Sequence, residues 1–157
     1  MADEIKNIFI SHIHEDDDGL TKLKELANKH GLAVRDASIN SANPNNAKSP
    51  EYIKNDILAP GINWAGTLVV YITPDTKDSE YVNWEIEYAH KANKRIVGVW
   101  AAGEKDCDIP KALGEYGHAL VGWNGENIVD AISGKSDKWY KCTGEPQDYR
   151  PIKRFSC

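Results

Sequence analysis

A chain of 157 residues with a formal charge of −5 is long enough for one sizeable core and too short for two ordinary domains. No apolar run approaches the roughly 20 residues of a membrane span, and MADEIKN lacks the basic start and apolar stretch of a signal peptide. A cytoplasmic location without a membrane partner is therefore expected. Residues 135–157 hold six basic and three acidic side chains, which leaves −8 on the remainder and argues against nucleic acid as a partner. Cys107, Cys142 and Cys157 form no C-x-x-C pair and read as free thiols.

In chain order, strands alternate with helices. Lys6–Ser11 is a short apolar run, a buried strand, followed by a helix over Gly19–His30 with Leu20, Leu23, Leu26 and Ala27 at helical spacing and Gly31 as its stop. A second strand covers Leu32–Arg35. Residues 36–49, DASINSANPNNAKS, contain four Asn, three Ser and a Pro without periodicity, a loop too long to be a plain connector. Pro50 then opens a helix with Tyr52, Ile53, Ile57 and Leu58 on its apolar side, expected to end near Pro60-Gly61. Thr67–Thr73 is the most apolar strand. A helix around Glu85 leads to a fourth strand at Arg95–Trp100, Ala119–Trp123 makes a fifth, and a last helix spans Glu126–Ser133. Five strands alternating with helices predict a parallel α/β sheet covered on both faces, flavodoxin-like in the order 2-1-3-4-5. The ligand crevice of such a sheet lies beyond the carboxyl ends of its first and third strands. Ser11 and His12, the loop that begins at Asp36 and includes Ser38, and Thr73-Pro74-Asp75 would line it.

The segment SEYVNWEIEYAHKANKRIVGVW, residues 79–100, carries the most chemistry. On a helix Val82, Ile86 and Ala89 share an apolar face, while Tyr81, Glu85 and Tyr88 form a row at its edge. Glu85 is then either a solvated surface glutamate or a carboxylate held among aromatic walls, where it suits a sugar or a developing positive charge. Tyr81 and Trp84 could offer ring faces to a base, although packing is the commoner fate of helix aromatics.

Ser79, Tyr81 and Glu85-Ile86 resemble the S-x-W-x-x-x-E segment of TIR domains, with Tyr81 in place of tryptophan. IFISH at 8–12 looks like the opening TIR strand and TLVVYIT at 67–73 like the central one, so the resemblance covers roughly residues 6–134. It is closest to the divergent bacterial TIR-like family that includes the Thoeris B protein of antiphage defence. The resemblance implies that Glu85 is catalytic in splitting NAD at the nicotinamide–ribose bond; of the aromatics only Tyr81 matches a motif position, and Ser11, His12, Asp36 and Ser38, from their place at the crevice, and Trp84, from its ring, join it as substrate-binding candidates. It also implies self-association through TIR surfaces and a cyclic ADP-ribose-type product that reaches a separate effector. NAD would be a substrate and not a cofactor, since no GxGxxG or GxxxxGKS phosphate cradle occurs.

Other readings stay open. SHIHEDDD at 11–18 has metal-ligand chemistry, but acidic residues at a helix start are favoured by the helix dipole alone, and no metal is expected. His12 bonds substrate or caps the next helix. A receiver-domain reading fails, because YITPD and VGWNG stand where its aspartate and lysine belong. WEIEYAHKANKRIVGV resembles the W-E-x-G-Y-A helix and following K-P-V of nucleoside deoxyribosyltransferases, with Glu87 at the glycine position. A non-catalytic TIR adaptor is the remaining alternative. Residues 135–157, with Trp139, Tyr140, Tyr149 and Phe155, form a tail after the domain at 1–134, docked or disordered.

Overall fold

Unbroken apolar runs in the inner strands place two apolar layers on opposite sides of a single sheet. The computed structural model describes residues 4–12, 17–36, 59–73, 76–101, 109–135 and 139. Its five strands are β1 (Glu4–Ser11), β2 (Leu32–Asp36), β3 (Thr67–Ile72), β4 (Arg95–Trp100) and β5 (Ala119–Val121). All neighbours pair in parallel, in the order β2-β1-β3-β4-β5. This is the α/β fold and strand order expected from the sequence. The helices are α1 (Asp17–Lys29), α2 (Ala59–Trp64), α3 (Glu80–Lys91), α4 (Lys111–Tyr116) and α5 (Gly125–Ser133).

One core layer joins Ile8, Ile10, Val69, Val97 and Val99 to Leu20, Leu23 and Ala27 of α1 and to Ile128, Ala131 and Ile132 of α5. The other joins Phe9, Leu68, Val70, Ile72, Ile96 and Trp100 to Ile62 of α2, Val82, Ile86 and Ala89 of α3, and Leu113 of α4. Phe9 and Ser11 are two residues apart on β1 and therefore face the same side, toward α3. That parity decides where the polar end of β1 points.

Helix ends follow local chemistry. Gly31 takes φ of +94° after α1, as expected for a stop glycine. Beyond α3, Asn93 takes φ of +61°, and the Asn93 and Lys94 amides donate to the carbonyls of His90 and Ala89. This reciprocal closure turns the chain directly into β4.

Two elements differ from the sequence expectation. Where the helix was expected to end near Pro60-Gly61, a helix covers Ala59–Trp64, with Ile62 buried in the core and Pro60 in its first turn, where a proline costs no hydrogen bond. Its expected beginning at Pro50 and the loop at 36–49 lie largely outside the described residues. Helix α4 has no counterpart in the sequence reading. Six residues, KALGEY, with one large apolar side chain are too few to show a period. Trp139 is buried and bridges Leu120 in parallel, beside β5.

Gly98 makes room for α4. A Cβ built on it would lie 2.7 Å from Leu113 Cδ2 and 2.7 Å from Leu120 Cδ1. Gly98→Val is expected to overpack this layer and lower stability by about 1–3 kcal/mol. A urea midpoint equal to the parent's would show that α4 can move away freely.

Candidate active site at the carboxyl edge of the sheet

The position of Glu85 begins with how α3 starts. Ser79 caps the helix, its Oγ accepting from the Val82 amide at 3.2 Å. Asn83 fixes the surroundings: its Nδ2 donates to the Lys77 carbonyl at 3.3 Å and to the Ser79 carbonyl at 3.0 Å, while its Oδ1 accepts from the Ala112 amide at 3.1 Å. One side chain thus joins the approach to α3, its first turn and the start of α4.

With the helix so phased, Val82, Glu85, Ile86 and Ala89 all face the sheet and are buried. Glu85 is 5% exposed, so it stands within the apolar stripe and not in the edge row that helix geometry suggested. The solvated reading does not hold. Its partner is Ser11, itself fully buried at the end of β1, whose Oγ donates to Glu85 Oε1 at 2.5 Å. β1 lies where the strand order reverses, between β2 and β3, so this pair occupies the switch point of the sheet.

Burial sets the chemistry of the carboxyl. Loss of hydration raises the Glu85 pKa from 4.5 to about 8, and the Ser11 hydrogen bond opposes that rise. Glu85 therefore holds its proton at neutral pH.

The other candidate residues are distributed unevenly. His12 is partly buried, and its Nδ1 is 3.0 Å from the Ile10 carbonyl, which requires that nitrogen to carry the proton. Trp84 stacks on Tyr88 with centroids 5.2 Å apart at 25°, and Tyr88 Oη accepts from Asn63 Nδ2 of α2 at 2.7 Å. Tyr81, Trp84 and Tyr88 are all partly buried against the same core layer. Asp36 pairs with Ile8, three residues before Ser11, so its backbone stops roughly 10 Å below the Ser11–Glu85 pair. Ser38 lies outside the described residues, as do Pro74, Asp75 and most of SHIHEDDD. Among the described residues no group of three acidic, histidine or cysteine side chains is placed to hold a metal, and no helix is long and apolar enough to cross a membrane. Sequence reasoning missed the role of Asn83. Its place on the partly buried edge of a helix gave no sign that its amide would meet α4, a helix the sequence did not reveal.

A five-stranded parallel sheet in this order with helices on both faces is the architecture of a TIR-like domain. The chain belongs to the family described as Thoeris protein ThsB, TIR-like domain, which matches residues 9–106 and so includes both Ser11 and Glu85. None of the curated proteins matches the chain in sequence. Among solved structures it is similar in fold to the TIR domain of the Toll-related receptor TRR-2 of Hydra magnipapillata, at 12% identity over 82% of this chain and 92% of that one, TM-score 0.51. It is likewise similar to the CMP N-glycosidase BcmB of Clostridium botulinum, at 14% identity over 83% and 100%, TM-score 0.50. A conserved protein of Enterococcus faecalis V583 gives 11% identity over 84% and 99%, TM-score 0.52.

The raised pKa makes Glu85 a stability element with a defined sign. Between pH 4.5 and about 8 the unfolded chain binds fewer protons than the folded one, so this group's contribution is complete below pH 4.5 and is lost as pH rises through about 8. Glu85→Gln removes that dependence. The variant is expected to match the parent near pH 4.5 and to exceed it at pH 8.5 by on the order of a few kcal/mol. Parallel urea curves across that range would sink the assignment.

Proposed function

We propose that this protein cleaves the nicotinamide–ribose bond of NAD, with Glu85 as the catalytic carboxylate. The observation that supports the reading is a glutamate buried at the switch point of the sheet and hydrogen-bonded to Ser11, a placement that costs stability and has no packing rationale. Nicotinamide in NAD is already a cationic leaving group and departs with the bonding electron pair as a neutral base, without a general acid. The anomeric carbon is left with oxocarbenium character, which an adjacent carboxylate stabilises while it orients the ribose hydroxyls. A pyridinium brought beside Glu85 lowers its pKa, so the proton leaves as the substrate arrives. Capture of the cation by water gives ADP-ribose, and capture by a nucleophile of the same molecule gives a cyclic product. Family membership favours the cyclic product as a signal to a separate effector.

A second reading is cleavage of a pyrimidine nucleotide. The raised pKa supports it, since a neutral base departs more easily when a protonated carboxyl is at hand. The two readings differ in the sign of their pH dependence. With NAD, kcat/KM is expected to climb toward a plateau above about pH 8, because the ionised carboxyl is the active form. A nucleotide that needs the acid would show the reverse. Glu85→Gln is expected to retain the parent's circular dichroism and to release no nicotinamide. Undiminished release by a folded variant would remove Glu85 from the mechanism.

Self-association belongs to the same proposal, since a TIR-like site completed by a neighbouring copy is silent in a dilute monomer. Nicotinamide released per molecule is expected to increase with protein concentration. A flat dependence over a hundredfold range would indicate a self-contained monomeric site.

A further inference from the structure

Trp100 presents an unmet hydrogen-bond donor near the same edge of the sheet. It is the last residue of β4, 5% exposed, and its indole Nε1 is buried with no acceptor among the described residues. A buried indole N–H left unmet costs about 1–3 kcal/mol, and such a group calls for a reason. Its location supplies one. Trp100 pairs with Ile72, two residues beyond Val70, and Val70 is the partner of Ser11. By strand parity its ring lies on the side of the sheet that faces α3, as Ser11 does. It shares a core layer with Val82 and Ile86, the residues that flank Glu85 on the buried stripe of α3.

We propose that the Trp100 indole N–H holds the carboxamide oxygen of the pyridinium leaving group. This inference rests on the NAD reading and adds to it the group that recognises the base. The surroundings select that acceptor over the others in a dinucleotide. Among the described residues Ile72, Val82, Ile86 and Leu113 share the layer and are aliphatic, a setting that suits a neutral ring better than a phosphate. Ribose hydroxyls are matched by Glu85. A flat heteroaromatic amide needs apolar walls and a single neutral donor. The contact also strengthens during reaction. As the C–N bond breaks, the ring gains the electron pair and its carboxamide oxygen becomes a better acceptor, so the donor favours departure and not binding alone.

The test is Trp100→Phe, which keeps an aromatic ring and removes the donor, assayed on NAD and on a dinucleotide whose pyridinium ring lacks the carboxamide. The variant is expected to lose about tenfold in kcat/KM on NAD, to match the parent on the analogue, and to melt no lower than a small cavity requires. An equal loss on both substrates, or no loss on NAD, would overturn the inference while leaving Glu85 chemistry intact. A second measurement covers a poorly folded variant or a parent that does not turn over NAD. In Glu85→Gln protein titrated with NAD, the Trp100 indole proton resonance should move downfield. A resonance that stays fixed at saturating NAD overturns the proposal. Absence of nicotinamide release by the parent counts against the functional reading separately.

Discussion

The hydrogen bond between Ser11 and Glu85 is the constraint around which this domain is arranged. A carboxyl placed in an apolar layer is unfavourable unless a polar partner meets it. Here the partner is the residue at the tip of β1, delivered to the correct side by the two-residue period of that strand. Moving the register of β1 by one residue would turn Ser11 to the α1 side and leave Glu85 without it. Strand parity and helix phase must therefore agree to the residue, which explains why the cap and first turn of α3 are so fully bonded.

The apolar stripe of α3 also contains one position that departs from packing. Positions 82, 86 and 89 carry Val, Ile and Ala, all fully buried, and position 85 would hold a fourth aliphatic if stability alone mattered. A glutamate in that place keeps a titratable group out of water and poised near neutrality. The aromatic row beside it contributes in a different way. Trp84 stacked on Tyr88, with Tyr88 bonded to Asn63, links α3 to α2 and resists sliding between the two helices.

Much of this was legible from the residues. The strands at 67–72 and 95–100 announce themselves as unbroken apolar runs, and the order of the sheet follows from their alternation with helices. Ser11 and Glu85 were both identifiable, one by its place after a strand and one by its company on a helix. Their contact was not, since 74 residues separate them and no local pattern encodes a distance of that kind. The depth of Glu85 was also misjudged. A period of 3.6 residues assigns faces only to within a fraction of a turn, and tertiary packing settled the rest. Helix α4 escaped notice because Gly114 and Ala112 are buried by close approach and not by hydrophobic bulk.

The amide of Asn83 sets a narrow tolerance at a site that is only partly buried. Its nitrogen faces two carbonyl oxygens and its oxygen faces an amide hydrogen, so each end of the group is fixed by a partner of opposite character. Aspartate has the same shape but would set a carboxylate oxygen against the carbonyls of Lys77 and Ser79. Leucine has nearly the same volume but would take the acceptor from the Ala112 amide and the side-chain donor from the carbonyls of Lys77 and Ser79. The alphabet available to this position is set by the direction of its dipole, even though the chain segments it joins, at 77–79 and at 112, are far apart in sequence.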